Sequence, residues 1–328
     1  MPPLRGAVGQ DWGVKAIQIK EFGGPEALEH VEIPDPVAAR GEVIVEVTRS
    51  GVNFADVHAS TNDYVAKHEL PLIPGAEVVG HTPDGRRVAA ILRKGGYAEK
   101  VAVHEGSLVE IPDDVSDDQA AGVLLQGLTA HAVIHRSARL QSGETVVVEA
   151  AAGGTGGLAV QVAKRAGARV IALASSSEKR ALAERLGADA AVDSRSEKLG
   201  AAILEANYGE QVDAVLQMSG GSAFDAELRV LAPFGRMVVV GIATREQNTV
   251  RTGHLLRNSR SVIGFWLYHL LPETEAVAEI VVELFEAVGE GALEVVIGGV
   301  YPLCEARAAH EAMTSRSSTG KLLLDPSS

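Results

Sequence analysis

The chain has 328 residues, 46% of them hydrophobic, enough for roughly two domains with buried cores. A formal net charge of -13 argues against a nucleic-acid partner, because no broad surface would neutralise phosphates. The lone cysteine, Cys304, excludes an intrachain disulfide and a multi-cysteine zinc knot, which fits a cytoplasmic location. No apolar run approaches the ~20 residues of a membrane span. The opening "MPPLRGAVGQDWG" lacks the apolar core of a signal peptide and reads as a leader before the first strand.

Short alternating or β-branched runs come first: "VKAIQIKEFG", "ALEHVEIPD", "GEVIVEVTRSGVN", "AEVVGH", "RRVAAIL" and "GYAEKVAVHEGSLVEIPD". Gly, Pro and Asp separate them, as in a compact β-barrel or sandwich. Near Ser116 the spacing becomes helical, with Ser116 as N-cap and acids in the first turn. Strands and helices then alternate from "ETVVVEAA" to "GRMVVVGIA", with "SVIGFWL" as one more strand. Alternation of this kind predicts parallel strands joined by right-handed helical crossovers. The strands are continuous apolar runs, as a sheet covered on both faces requires. The tail predicts a helix over "ETEAVAEIVVELFEAVGEG", a strand over "LEVVIGGVYPL", a helix over "EARAAHEAMTSR" and a last strand, "GKLLLDP", returning to the N-terminal β-domain.

After "TVVV" the chain reads Ala150, Ala151, Ala152, Gly153, Gly154, Thr155, Gly156, Gly157. A G-x-G-x-x-A match runs from Gly154 to Ala159. Glycines permit a tight turn and let backbone N–H groups approach a pyrophosphate, to which a helix N-terminus adds a favourable dipole. The match sits between a strand and a helix, the context that gives it weight. The next strand runs into Ser175, Ser176 and Ser177, where an NAD binder usually carries an acid for the ribose 2′-OH. Glu178 follows in the helix, and then Lys179 and Arg180. Small hydroxyls with cations suit a 2′-phosphate, so NADPH is the expected cofactor.

These residues and the order of the domains resemble the medium-chain dehydrogenase/reductase superfamily, in its zinc-independent quinone oxidoreductase branch, which includes enoyl reductases. The resemblance covers nearly the whole chain after Val14. It rests on "GVNFADVHASTNDY", "LPLIPGAEVVG", "GYAEKV", "QGLTAHAVI", the glycine stretch and "AHEAMTSRSSTGKLLLDP". It implies an α/β architecture: a GroES-like β-rich catalytic domain (residues 1–124 and 266–328) plus a Rossmann doubly wound parallel sheet domain (residues 125–265). It also implies a homodimer formed through the Rossmann edge strand, "RSVIGFWL".

Zinc alcohol dehydrogenases of the superfamily place a Cys ligand where this chain has Asn53, and a His-Glu pair where it reads Ala76-Glu77. Two ligands and the structural-zinc loop are therefore missing, and no metal is expected. His131 and His135 have i,i+4 spacing but no third ligand nearby in sequence. Without a Lewis acid to polarise a saturated alcohol, hydride transfer favours an electron-poor acceptor such as a quinone or a conjugated enone.

By matching position, the resemblance assigns substrate-side roles to Asn53, Asp56 and Tyr64. Asn53 orients the nicotinamide carboxamide or donates to the substrate oxygen. Asp56 matches a family acid and equally reads as a cap. Tyr64 is the candidate donor to the developing anion, or an aromatic lining the site. The cofactor set is Ala152, Gly153, Gly154, Thr155, Gly156, Ser175, Ser176, Lys179, Ser194, Gly220, Gly241, Ile242 and Arg316. Ser194 replaces a family Tyr. "ASTND" replaces the residues common between Asp56 and Tyr64, which opens a second reading, an enoyl reductase acting on a carrier-bound or elaborated intermediate. A dinucleotide-binding redox sensor without turnover is the third.

Overall fold

The structure is a computed structural model and describes residues 13–63 and 65–328. The chain divides into two compact units. The first runs to Glu110 and takes in Tyr301–Thr314 and Leu324–Ser328; the second holds Ile111–Val300 and Ser315–Leu323.

In chain order the first unit begins with β1 (Val14–Gln18), β2 (Glu29–Ile33), β3 (Glu42–Val52), α1 (Phe54–Thr61), β4 (Glu77–His81), β5 (Arg87–Ile91), β6 (Lys100–His104) and β7 (Val109–Glu110). The second continues with α2 (Asp117–Ala132), β8 (Thr145–Val148), α3 (Gly154–Arg165), β9 (Arg169–Ala174), α4 (Ser177–Arg185), β10 (Ala190–Asp193) and α5 (Leu199–Ala206). It goes on with β11 (Val212–Gln217), α6 (Ser222–Val230), β12 (Leu231–Val239), α7 (Thr252–Asn258), β13 (Ser261–Gly264) and α8 (Thr274–Gly289). Then come β14 (Ile297–Pro302), α9 (Ala306–Thr314) and β15 (Lys321–Asp325), and the division between the units passes through both strands.

The first unit is antiparallel. β1 pairs with β2, β3 with β4 and β6, and β4 with β5. Val45, Val47, Val78, Val88, Ala90 and Val103 form one of its buried clusters. The chain end returns to it: Asp325 pairs with Arg49 of β3 at 3.3 Å.

The second unit holds a six-stranded sheet in the order β10-β9-β8-β11-β12-β13, with every neighbouring pair parallel. The strand order reverses between β8 and β11, so the carboxyl ends of these two strands form the switch point where such sheets take ligands. Val146, Val147 and Val148 are all buried, as a strand covered on both faces demands. In α3 the buried face holds Leu158, Ala159, Val162 and Ala163, while Lys164 and Arg165 lie in the last turn and complement the helix dipole. Gly167, at φ 81°, ends the helix where only glycine is unstrained.

Segments 111–124, 266–300 and 315–323, placed by sequence with the first domain, group with the second unit. For the first two the reason is the packing of α2, whose N-cap is Ser116 as expected. α2 lies against α3 and α8, and a Cβ at Gly127 would meet Leu284 of α8 at 3.2 Å. Among the described residues no helix is long and apolar enough to cross a membrane.

Candidate active site

The glycine turn follows β8. Gly153 is the N-cap of α3, and Gly154, Thr155 and Gly156 make its first turn. Their leading N–H groups have no intrahelical acceptor, the arrangement that suits an anion. A Cβ at Gly156 would collide with the carbonyls of Ala150 and Glu149. A Cβ at Gly154 would meet only the end of the Gln126 side chain, which reaches in from α2. The cradle thus fits a dinucleotide pyrophosphate. Ala152 precedes the turn, and its carbonyl accepts from Gly320 at 2.8 Å.

At the end of β9 no acid stands where a ribose diol would be bound. Ser175 follows the strand, and Ser176 caps α4, its hydroxyl accepting from the Lys179 N–H at 3.3 Å. The Lys179 ammonium donates to the Arg316 carbonyl at 2.7 Å, so these two sequence candidates meet. Burial lowers the pKa of Lys179. Ser194 follows β10 and bonds Ala174 at 3.2 Å. Arg195, which lay outside the candidate set, donates to the Ser175 carbonyl. Arg180 lies 3.6 Å from Asp193. Adjacency to Ser194 was the one sequence signal for Arg195.

Gly220 follows β11 at φ 73°, and Gly241 and Ile242 follow β12. The two loops are tied together: Ala243 donates to the Met218 carbonyl at 3.2 Å, and the Thr244 hydroxyl to the Ser219 carbonyl at 2.7 Å. Sequence reading missed Glu149, whose carboxylate accepts from Met218 N at 2.6 Å, Ser219 N at 2.8 Å and the Ser219 hydroxyl at 2.6 Å.

The first unit carries a buried network around α1. Asp56 accepts from Asn53 N at 2.9 Å, Gly75 N at 3.2 Å and the Tyr97 hydroxyl at 3.4 Å. Asp56 is therefore the capping-box residue of α1. Tyr97 also lies 3.1 Å from His310 Nε2. Since the Tyr97 proton goes to Asp56, Nε2–H of a neutral His310 donates to the Tyr97 oxygen. Burial holds the Tyr97 hydroxyl well above its ordinary pKa and pulls His310 down to about 4. The Asn53 amide donates to Glu77 Oε1 at 2.8 Å, so its orientation is set by a buried carboxyl. Tyr64 lies outside the described residues.

The depressed His310 pKa has a consequence for acid stability. The unfolded chain binds the proton at 6.5 and the folded chain at about 4. Between these values the unfolded state holds more protons, so stability falls as pH falls, by up to about 1.4 kcal/mol per pH unit. Urea unfolding of His310→Gln, compared with the parent across this window, is expected to show an acid limb shallower by up to one proton.

The donor set where zinc relatives hold their metal is an amide, Asn53, bonded to Glu77, and a methyl group, Ala76. It does not fit a zinc ion. Elsewhere His131 and His135 lie with ring centroids 4.5 Å apart, and Glu283 is 3.9 Å from His131. They border a cavity of about 160 Å³ that Arg165 also lines. Among the described residues no three His, Cys, Asp or Glu side chains are placed to hold a metal ion.

Residues 39–113 match the family model of the alcohol dehydrogenase GroES-like domain, and residues 154–287 that of the zinc-binding dehydrogenases. The chain is similar to the quinone oxidoreductase of Pseudomonas aeruginosa, 32% identical over 95% of this chain and 99% of the relative. It is also 32% identical to prostaglandin reductase-3 of Bos taurus, over 90% of this chain and 84% of that one. Among solved structures, the quinone oxidoreductase of Thermus thermophilus, determined also in complex with NADPH, matches at 38% identity and TM-score 0.85, covering 95% of this chain and 99% of that one.

Proposed function

Since this chain belongs to the quinone oxidoreductase family of the medium-chain dehydrogenases/reductases, we propose that it is an NADPH-dependent reductase of quinones or conjugated enones that works without a metal. One observation carries the cofactor assignment: β9 is followed by serines and no acid, and Lys179 and Arg195 stand beside them. Bound NADPH supplies a hydride. The N–H groups at the start of α3 bind the pyrophosphate, and Ser175, Ser176, Lys179, Ser194 and Arg316 hold the 2′-phosphate corner. Gly220, Gly241 and Ile242 supply backbone on the nicotinamide side. The reduced acceptor carries an anion that needs a donor and then a proton, and Tyr64 takes that role. Asn53 orients the reacting groups, and Asp56 holds Asn53 through its backbone N–H. Asn53 and Ala76, in place of zinc ligands, support the metal-free reading. The edge position of β13 supports a homodimer formed by pairing that strand.

Consumption of NADPH by the purified protein, with naphthoquinones against enoyl thioesters, tests the substrate assignment. Turnover of quinones is expected, and none with any quinone sinks it. The second reading, an enoyl reductase for an elaborated intermediate, is favoured by the "ASTND" run and by the likeness to a reductase named for a prostaglandin. It predicts turnover of the thioesters alone. Lys179→Ala is expected to weaken NADPH binding about tenfold, as loss of one charge-assisted contact does, with NADH affinity changed far less. Equal loss for both cofactors removes Lys179 from the 2′-phosphate site.

A further inference from the structure

Glu149 and Glu227 are two carboxyl groups buried together at the switch point of the parallel sheet. Glu149 directly follows β8 and is 4% exposed, and Glu227 on α6 is 0% exposed. Their surroundings differ. Glu149 accepts from the two N–H groups and the hydroxyl of Met218 and Ser219, all within 2.8 Å, so donors serve both of its oxygens. Neither oxygen of Glu227 meets a donor, and the group it faces is Glu149, itself an acceptor. Two such carboxyls hydrogen-bond only if one carries a proton. An unpaired buried charge costs several kcal/mol, so the proton belongs on the group without donors.

Among the described residues, Glu149 is the one ionisable group that acts on Glu227. α6 packs on α5, β11 and β12, and none of these adds a charge that reaches it. The pair therefore joins three elements: β8 through Glu149, the loop after β11 through Met218 and Ser219, and α6 through Glu227.

We propose that Glu227 is a positioning residue: it stays protonated at neutral pH and donates to Glu149, which in turn clamps the Met218–Ser219 turn across the switch point. The proton is given by solvent on folding and stays on Glu227, so no redox step is involved. Removing it puts two like charges side by side and loosens the turn. That this turn serves the nicotinamide side rests on the function proposed above, but the clamp does not.

Two measurements on the full chain without cofactor test it. Infrared difference spectra of the parent against Glu227→Gln at neutral pH should show one carbonyl stretch of a protonated carboxylic acid that the variant lacks. The variant keeps an N–H donor for Glu149 and cannot ionise. Amide exchange at Met218 and Ser219, corrected for its intrinsic pH dependence, should speed up about tenfold in the parent as that band titrates away at alkaline pH. In Glu227→Gln it should stay flat. Absence of the band at neutral pH, or equal exchange profiles in both proteins, overturns the proposal. Because neither readout involves NADPH, failure here and failure of the cofactor reading are distinguishable.

Discussion

Asp56→Ala is expected to destabilise the first unit by about 3 kcal/mol or more, because it strips the acceptor from three buried donors at about 1–3 kcal/mol each. Those donors are Asn53 N, Gly75 N and the Tyr97 hydroxyl. None reaches water: Tyr97 is 0% exposed, and Gly75, at φ 104°, sits with its N–H turned inward. The cap of α1 is lost with them, and Asn53 loses the anchor of its backbone. Urea unfolding measures the loss directly, and Asp56→Asn should recover part of it by keeping one acceptor oxygen. A change within about 0.5 kcal/mol, as at an ordinary surface site, would mean that the network carries no stability.

Gly156→Ala is the second large effect. Its Cβ would lie 2.6 Å from the Ala150 carbonyl carbon and 2.9 Å from the Glu149 carbonyl oxygen, both backbone atoms that cannot step aside. The glycine turn must shift to admit it, at about 1–3 kcal/mol. A loss of about 3 kcal/mol in the ability of the turn to present its N–H groups is roughly a 100-fold loss of NADPH affinity. Gly154→Ala is the control. There the obstacle is the end of the Gln126 side chain, which can change rotamer as backbone cannot, so the expected loss is several-fold smaller. Isothermal titration of the two variants with NADPH separates the cases. Equal affinities would mean that the turn does not approach the pyrophosphate.

Much of this architecture is legible along the chain. Apolar runs such as "TVVV" and "RVIALA" alternating with helices require a parallel sheet, because only burial on both faces suits strands without polar alternation. Gly156, in the first turn of α3, states its purpose locally, since what it avoids are the carbonyls of Glu149 and Ala150, a few positions earlier. The serines and cations after β9 are likewise local, a strand end and the first turn of the next helix.

What resists local reading is every contact made across sequence. Lys179 and Arg316 are 137 positions apart, and only the fold sets the ammonium on that carbonyl. Tyr97 and His310 are 213 apart, and nothing in "GYAEKV" or "AHEAM" says that a tyrosine and a histidine share a hydrogen bond beneath Asp56. Asp56 illustrates the limit: "NFAD" permits a catalytic acid or a helix cap, and only the fold brings the donors of Gly75 and Tyr97 to the carboxylate that caps α1. Glu149 reads as a strand end, and Glu227 as one more acid on a helix. Composition and periodicity are enough to choose the elements and the glycine turn before α3, because backbone geometry and apolar burial act over a few residues. Protonation and orientation of the buried polar groups depend on which donors the folded chain brings to them, and that is a property of the packed structure.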